Sequence, residues 1–451
     1  MGRVVIELDP ALEPLDVCER LAHLPFPILL DSAADQARTG RYSYCAADPF
    51  RMFSGRVPDD PLVPARAALQ AFPTERDPAL PPFQGGLAGF VGYDYGQVLE
   101  RVPAPRTDDL DVPDVLLGFY DWVIAWDHQA GRAWLISTGL PALRGAGAER
   151  AAKRADEVLA LLATSPVAPP EPAPAAAPGR PLHSTFTRDE YLAAVTRVRD
   201  YILAGDLFQA NISQRFDAPL AGPPFELYRR LRHRSPAPYA AWLDAGRFQL
   251  MSASPERFLR LDGRTVETRP IKGTRPRSAD PARDAGLAAE LSASAKDRAE
   301  NVMIVDLLRN DLSRVCRPGT VRAAELLSLE AHPTVYHLVS TVTGELEPGC
   351  DAFDLLRAAF PGGSITGAPK VRAMAVIAEL EPSRRAAYCG SIGYVSVTGD
   401  MDTSIVIRTY LAMGGRAYFQ AGGGIVADSD PAAEYEETLD KARALIESLA
   451  P

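Results

Sequence analysis

The stretch GSIGYVSVTGDMDTSIVIRTYLAMGGRAYFQAGGGIV, residues 390–426, decides the fold class of this chain. Its apolar runs are rich in Ile, Val and Tyr and are separated by short turns that contain Gly, a pattern typical of paired strands. It predicts an antiparallel meander of three strands: GSIGYVSVTGD, MDTSIVIRTYLAMGG and RAYFQAGGGIV. Antiparallel strands interspersed with helices favour an α+β fold over a doubly wound parallel sheet.

The rest of the chain supplies further strands and helices around this stretch. Strands are predicted in FPILLDSA (26–33), GLAGFVGYDYG (86–96) and VLLGFYDWVIAWDHQAGRAWLIST (115–138), the last with a hairpin turn at HQAGR. Helices are predicted in residues 145–163, 187–206, 296–315 and 430–449. The helix at 187–206 begins with a Thr cap, carries acids in its first turn and ends at Gly205.

Composition and charge exclude several classes of protein. The 451 residues are 47% apolar and 24% charged, which is ordinary for a globular protein. The 58 acidic against 48 basic residues give a net charge of −10, which offers no electrostatic support for binding nucleic acid or an acidic membrane. No apolar stretch approaches the roughly 18 residues of a transmembrane helix. The N-terminus, MGRVVIELDP, lacks the apolar core of a signal peptide, so a cytoplasmic protein is expected.

The cysteines give no sign of a disulfide framework or a zinc site. Cys18, Cys45, Cys316, Cys350 and Cys389 are odd in number, scattered, and without a CxxC pair. We expect them to be buried or half-buried thiols in a reducing compartment.

One break in composition divides the chain. Residues 164–180, TSPVAPPEPAPAAAPGR, contain six prolines among seventeen residues and predict an extended linker. The linker separates an N-terminal region, residues 1–163, from a C-terminal region, residues 181–451. A linker in sequence need not separate the two regions in space.

Two pairs of acids could hold a divalent cation. Asp297 and Glu300 are three residues apart on one predicted helix, and Glu434 and Glu437 repeat that spacing on another, with Lys441 one turn further. Oxygen ligands of this kind suit Mg²⁺. The alternative is that acids near the start of a helix only complement its dipole.

Two glycine runs and one lysine could bind or attack an anionic ligand. PGGSITGAPKVRAM (361–374) places Ser364 and Thr366 just before a helix start, but it lacks the lysine of a phosphate-binding P-loop. QAGGGIV (420–426) follows a predicted strand, where a backbone can approach a ligand closely. Each run could equally be an ordinary tight turn. Lys272, in TRPIKGTRPR, could be a desolvated nucleophile or a solvated surface residue.

Eight sequence blocks together resemble the chorismate-utilising enzymes. They are SPERF, TRPIKGTRPR, SAKDRAENVMIVDLLRND, PGGSITGAPKVRAM, CGSIGY, MDTSIVIRT, AGGGIVADS and EYEETLDK, and they follow the family's order through the C-terminal region. PFQGGLAGFVGYDYG and GFYDW match the family's N-terminal part. The resemblance implies the fold of anthranilate synthase component I, a large and mostly antiparallel β-sandwich flanked by helices.

Two positions distinguish the members of this family. Its water-adding members, the isochorismate and salicylate synthases, carry a Lys base where this chain has Gln209, so their activity is disfavoured. Anthranilate synthases carry Ala where this chain has Lys272, which is similar to the aminodeoxychorismate synthases. The implied activity is amination of chorismate at C4 on the route to p-aminobenzoate and folate. The alternatives are an anthranilate synthase component I and a paralogue that binds chorismate without turning it over.

The resemblance also implies roles for individual residues. Lys272 would be the nucleophile at C2, Glu256 the acid that protonates the leaving C4 hydroxyl, and His337 a group near that hydroxyl. Mg²⁺ would be held by Glu300, Glu434 and Glu437, with Asp297 acting through a water. The other expected substrate contacts are Gln209, Thr366, Tyr388, Arg408, Gly422, Gly423, Gly424 and Lys441.

Two further ligands follow from the resemblance. No glutaminase motif is visible, so ammonia is expected from a separate glutaminase subunit, with ammonium salts as a substitute. A tryptophan site is implied by LLDSA and SPAPY, which contribute Asp31, Ser32, Pro238 and Tyr239. The alternative is that these four residues pack the junction between the two regions.

Overall fold

The computed structural model describes residues 2–9, 11–34, 39–142, 145–163, 182–332 and 335–450. The predicted linker, residues 164–180, lies outside the described residues, and its boundaries stay a prediction.

The helices of the described residues agree with the sequence pattern where that pattern was strong. They are α1 (Pro14–Leu21), α2 (Leu62–Gln70), α3 (Gly96–Leu99), α4 (Gly145–Ala163), α5 (Arg188–Leu203), α6 (Pro224–Arg234), α7 (Pro281–Ala293), α8 (Ala295–Ser313), α9 (Ala352–Ala359), α10 (Lys370–Leu380) and α11 (Pro431–Ser448). At the start of α5, the Thr187 hydroxyl accepts the Glu190 N–H while the Glu190 carboxylate accepts the Thr187 N–H. This capping box fixes the predicted start of the helix.

The strands are more numerous than the sequence indicated. They are β1 (Val4–Leu8), β2 (Ile28–Asp31), β3 (Tyr42–Ala46), β4 (Arg51–Gly55), β5 (Gly86–Val91), β6 (Val115–Tyr120), β7 (Trp122–Asp127), β8 (Arg132–Ser137), β9 (His183–Ser184), β10 (Gln209–Pro219), β11 (Tyr239–Asp244), β12 (Gln249–Ser254), β13 (Arg257–Asp262), β14 (Thr265–Thr268), β15 (Ile271–Pro276), β16 (Arg322–Ala331), β17 (Val335–Glu345), β18 (Gly367–Ala368), β19 (Ser391–Ser396), β20 (Met401–Ile405), β21 (Thr409–Met413) and β22 (Arg416–Ile425).

These strands form two antiparallel sheets that both regions of the chain build together. The first has the order β1-β8-β7-β3-β2-β11-β12-β21-β22-β10-β18, with β9 beside β10. The second has the order β15-β17-β14-β13-β20-β19-β5-β6-β4, with β16 beside β17. The two regions meet in each sheet, through the pair β2–β11 in the first and β5–β19 in the second.

The two sheets pack face to face over an aromatic core. The ring of Tyr44 in β3 lies 5.3 Å from the ring of Tyr394 in β19, and Phe83 stacks on Tyr394 at 4.6 Å. Both tyrosines and Phe83 are buried in one cluster with residues of both sheets. Helix α8 packs against β15 and β17, and α11 packs against β22 and α5. The expected α+β sandwich is therefore confirmed.

The predicted three-strand meander is wrong in its connections. The segment MDTSIVIRTYLAMGG is not one strand: β20 pairs with β19 in the second sheet, whereas β21 pairs with β22 in the first. The chain passes between the sheets at residues 406–408, where Arg408 has φ +53°. A similar crossing at Asp121 divides the predicted run 115–127 into β6 and β7, which lie in different sheets. Alternating apolar residues suit either sheet, so the pattern does not show where a strand changes layer.

None of the helices within the described residues combines the length and apolarity that spanning a membrane requires.

Candidate active site

Lys272 lies at the centre of the candidate site, on a strand. It belongs to β15, whose register against β17 shifts between Ile271 and Thr274. Its Nζ points towards Gly424 of β22, where an added Cβ would lie 3.3 Å from the amine. In the described part of the chain, Nζ has no hydrogen bond and no carboxylate oxygen within 4.0 Å.

The environment of this amine favours its neutral form. Burial lowers the pKa of Lys272 below its ordinary value, and the nearby Lys441 ammonium lowers it further. The carboxylates of Glu300 and Glu256 oppose the shift. A larger fraction of neutral amine makes the residue a better nucleophile at neutral pH.

The glycine run lies inside a strand and not after one. Gly422, Gly423 and Gly424 belong to β22 and pair with residues 211–213 of β10. An added Cβ at Gly424 would lie 2.8 Å from the Gln209 amide nitrogen. Neither amide atom of the fully buried Gln209 has a hydrogen-bond partner in the described residues. Because these three glycines have no side chains, a space remains beside β22, and both Lys272 and Gln209 face it.

Glu256 is a buried acid between β12 and β13. Its Oε1 accepts a hydrogen bond from the Ser364 hydroxyl at 2.6 Å. Burial raises the pKa of Glu256 to about 7, while Ser364 and the Lys272 ammonium act to lower it. A carboxyl with that pKa is protonated in a substantial fraction of molecules at neutral pH and can then donate its proton.

His337 lies on β17 beside the strand of Lys272. Burial, together with the charges of His332 and Arg408, lowers the pKa of His337 to about 3. Its Nδ1 is 2.9 Å from the Thr274 hydroxyl. The ring is therefore neutral near pH 7 and does not serve as a cationic acid.

Arg408 and Lys441 are held together at the sheet crossing. The Arg408 guanidinium donates to the Lys441 carbonyl oxygen, and it has no carboxylate partner within the described ranges. Lys441 Nζ donates to the carbonyl oxygen of Gly422 at 2.8 Å and contacts Glu437 Oε1 at 2.6 Å. An unpaired guanidinium next to the glycine strand suits a substrate carboxylate.

Two expected substrate contacts are engaged by the protein itself. The Thr366 hydroxyl donates to the Gly362 carbonyl oxygen at 2.8 Å, and so stabilises its own turn. The ring of Tyr388 is buried with the Arg385 guanidinium 5.8 Å from its centroid. Burial raises the pKa of Tyr388 well above its ordinary value, so its hydroxyl stays neutral.

Three of the four expected metal ligands converge from α8 and α11. An added Cβ at Gly423 would lie 3.0 Å from Glu434 Oε2 and 3.6 Å from Glu437 Oε1. Lys296 Nζ lies between Glu434 Oε1, at 3.4 Å, and Glu300 Oε1, at 4.0 Å. Burial raises the pKa of Glu300. The largely buried carboxylates of Glu300 and Glu434, which share the Lys296 ammonium, supply oxygen ligands of the kind that a hard dication such as Mg²⁺ prefers.

The acids are not assembled as a ligand cage in this structure. Across the described ranges, no three His, Cys, Asp or Glu side chains are grouped closely enough to hold a metal ion. Lysine ammonium groups contact the carboxylates instead, through Lys296 and Lys441. Asp297 is further removed, since its Oδ2 pairs with Arg275 at 3.3 Å.

The four residues of the expected tryptophan site meet at the β2–β11 junction. Asp31 accepts hydrogen bonds from Arg232 Nε at 2.5 Å and from the hydroxyl of Tyr228 at 3.3 Å. The Ser32 hydroxyl lies 3.5 Å from the Pro238 carbonyl oxygen. The Tyr239 ring packs beneath the Arg257 guanidinium at 5.2 Å. The contacts of Asp31 and Ser32 join the two regions, and binding of tryptophan at this junction stays a prediction.

Two residues of the site were not indicated by the sequence as contributors to its chemistry. Ser364 was noted only as a hydroxyl in a glycine loop, yet it is the hydrogen-bond partner of Glu256. Lys296 stands four residues before Glu300, a spacing that indicates an ion pair on one helix face. Its second partner, Glu434, is 138 residues away and could not be found from spacing.

Comparison with known proteins identifies the family of this chain. Residues 27–447 match the family of chorismate binding enzymes. The chain is 44% identical over 446 residues, covering 95% of it and 94% of the relative, to aminodeoxychorismate synthase component 1 of Salmonella typhimurium. It is 43% identical over 437 residues, covering 94% and 92%, to anthranilate synthase component 1 of Thermus thermophilus. The crystal structure of anthranilate synthase component I from Streptococcus pneumoniae matches with a TM-score of 0.80 at 33% identity, over 91% of this chain and 93% of that one. The resemblance inferred from the motifs is confirmed: the chain belongs to the family of chorismate binding enzymes.

Proposed function

We propose that this protein aminates chorismate at C4 to give 4-amino-4-deoxychorismate, the activity named for its Salmonella typhimurium relative. The observation that carries the proposal is the amine of Lys272, which faces the glycine strand and lies near the buried acid Glu256. Among the described residues this amine has no hydrogen-bond partner. Anthranilate formation needs no amine at this position. The product would enter p-aminobenzoate and folate synthesis.

The first half of the reaction uses Lys272 and Glu256. The neutral Lys272 amine adds to C2 of chorismate and forms a C–N bond, the ring double bonds shift, and the C4–O bond breaks. Glu256, in its protonated form, gives its proton to the departing hydroxyl, which leaves as water. The proton lost by the new secondary amine restores the charge balance, so the adduct equals enzyme plus chorismate minus water.

The second half reverses the attachment. Ammonia adds at C4 and forms the new C–N bond, the double bonds shift back, and the C2–N bond to Lys272 breaks. One proton from ammonia replaces the one that Lys272 takes up on leaving. The enolpyruvyl group is retained throughout, which distinguishes this reaction from anthranilate formation.

Charged groups around the strand would hold the two carboxylates of the substrate. The Arg408 guanidinium, which lacks a carboxylate partner in the described chain, would bind the enolpyruvyl carboxylate as a fork. Lys441, with the amides of residues 422–424, would add positive potential. Glu300, Glu434 and Glu437 would hold Mg²⁺, with Asp297 beyond them, and the ion would supply Lewis-acid chemistry at the ring carboxylate.

The nitrogen would come from a separate glutaminase subunit. The relatives with this activity are named component 1, which implies a second component. The five cysteines of this chain are free thiols, and Cys18, Cys45, Cys316 and Cys389 are buried. Burial raises the pKa of Cys18, Cys316 and Cys389, so these thiols are poorly suited to attack glutamine. Ammonium salts should therefore replace glutamine for the isolated chain.

A product assay decides between this activity and that of the anthranilate synthases. The purified chain is incubated with chorismate, Mg²⁺ and ammonium, and a lyase specific for aminodeoxychorismate is then added. We expect p-aminobenzoate, formed only when the lyase is present. Fluorescent anthranilate and pyruvate appearing without the lyase would refute the proposal, and chorismate binding without turnover would identify a non-catalytic member.

A further inference from the structure

Lys296 occupies an unusual position among the acids of the candidate metal site. Its ammonium reaches from the first turn of α8 to Glu434 Oε1 of α11 at 3.4 Å and lies 4.0 Å from Glu300 Oε1. The two carboxylate side chains are largely buried, with 4% and 13% of their surface exposed. The lysine side chain is 49% exposed. A partly solvated cation thus bridges two buried anions.

The electrostatics of this arrangement require a counter-charge. Two carboxylates brought together in a partly dehydrated site repel each other, and burying either without a cation is costly. Among the described residues, the only other hydrogen bond that the Glu434 carboxylate accepts comes from the Ser429 hydroxyl, at 2.6 Å. The Lys296 ammonium supplies the missing positive charge and links α8 to α11.

The other lysines of the site are tied elsewhere. Lys441 is bound to the Gly422 carbonyl oxygen and to Glu437. Lys272 faces the glycine strand, and its charge acts on Glu300 without a contact within 4.0 Å. Lys296 alone, among the described lysines of the site, contacts only these two acids, and its long exposed side chain can swing into solvent without breaking another contact.

We infer that Lys296 is a built-in counter-cation of the metal site, which holds Glu300 and Glu434 in place until Mg²⁺ displaces its ammonium. The inference rests on the metal assignment made under the proposed function. It assigns Lys296 a positioning role: it stabilises the metal-free protein and competes with the ion, thereby weakening its affinity. If Lys296 instead stabilised the bound ion, it would strengthen the affinity of the site for Mg²⁺.

The test compares the full-length protein with its Lys296→Gln variant, in the absence of chorismate. MgCl₂ binding is measured by titration calorimetry, and thermal unfolding is followed with and without Mg²⁺. We expect the variant to bind Mg²⁺ several-fold more tightly and to unfold at a lower temperature than wild type when metal is absent. Saturating Mg²⁺ should remove most of that difference in unfolding temperature.

Two control variants sharpen the comparison. Lys296→Arg keeps the cation and should resemble wild type in both measurements. Lys153→Gln is the matched control. Like Lys296 and Glu300, Lys153 and Glu157 on α4 are four residues apart and 4.0 Å from each other. That pair is exposed and far from any candidate ligand, so neither measurement should change.

The outcomes separate this inference from the metal assignment itself. If wild type binds Mg²⁺ and Lys296→Gln binds it equally or more weakly, the counter-cation role is wrong and the metal assignment stands. An unchanged unfolding temperature of the metal-free variant also overturns the role. If neither protein binds Mg²⁺, both the role and the metal assignment fail.

Discussion

Two enclosed lysines in this molecule have opposite surroundings. Lys370, at the start of α10, donates to Asp311 Oδ2 of α8 at 2.7 Å and to the Ala359 carbonyl oxygen of α9 at 2.6 Å. Lys272, on β15, has neither kind of partner in the described structure. Burial lowers the pKa of both lysines, but only Lys370 has a carboxylate in contact that opposes the shift.

The difference shows how one residue type serves structure in one place and chemistry in another. Lys370 ties three helices together, and the contacting Asp311 carboxylate favours its ammonium form, which has no lone pair with which to react. The amine of Lys272 stays available because the neighbouring strand carries glycines, whose missing side chains leave space for a substrate. Favourable packing in the surrounding sandwich offsets the free-energy cost of enclosing this amine.

The largest expected effect is on the activity of Lys272→Met. Removing the nucleophile should lower the rate of amination on the order of a thousandfold or more, as removal of a covalent nucleophile does in other enzymes. Its free energy of unfolding should be unchanged or higher, because a half-buried amine without a hydrogen-bond partner among the described residues is lost. Steady-state product formation and chemical denaturation measure the two effects. Lys370→Met, assayed at a temperature where it is folded, should keep most of its activity.

The next effect is on the stability of Lys370→Met. This change leaves Asp311 buried without its cation, which typically costs about 3–5 kcal/mol. Urea denaturation should show this loss in Lys370→Met and not in Lys272→Met. Adding Asp311→Leu to Lys370→Met should recover part of the loss, since no isolated charge then remains. Equal destabilisation by the two single variants would remove the distinction between the lysines.

A smaller effect is expected for Glu256→Gln. Loss of a general acid should slow amination about a hundredfold or more. Because Glu256 acts in its protonated form and its pKa is about 7, the wild-type rate should fall as the pH rises above 7. Ser364→Ala removes a hydrogen bond that lowers this pKa, so the fall should move to higher pH. A wild-type rate that stays flat from pH 6 to 9 would argue against Glu256 as the acid.

The same group affects stability with a definite sign. The folded pKa of Glu256 is raised above the ordinary value of 4.5, so the folded state binds its proton more tightly than the unfolded state. Ionisation between pH 4.5 and about 7 therefore removes stability from wild type and not from Glu256→Gln. The unfolding temperature of Glu256→Gln, relative to that of wild type, should therefore be higher at pH 8 than at pH 4.5.

Local patterns in the sequence predicted the four longest helices, α4, α5, α8 and α11, and the chemical groups of the site. The capping pair Thr187 and Glu190 fixed the start of α5, and α4 spans the predicted residues 145–163. The motif resemblance identified the family and brought attention to Lys272 and Glu256. In each case the deciding signal lies within a few adjacent residues.

The remainder depends on contacts between distant segments. The sheet crossings at Asp121 and Arg408 were missed, because both flanking strands have the same apolar alternation whichever sheet they join. The bridge from Lys296 to Glu434, and the hydrogen bond from Ser364 to Glu256, join residues 138 and 108 positions apart. Without the fold, no spacing rule connects such residues.

The most direct test of the account is whether chorismate becomes attached to Lys272. The protein is mixed with chorismate and Mg²⁺ without an ammonia source, quenched with acid, and examined as intact protein and as peptides by mass spectrometry. We expect a species heavier by chorismate minus water, located on the peptide that contains Lys272 and missing from Lys272→Met. Turnover with ammonia in which no such adduct forms, or an adduct located on Lys370 or another residue, would contradict it.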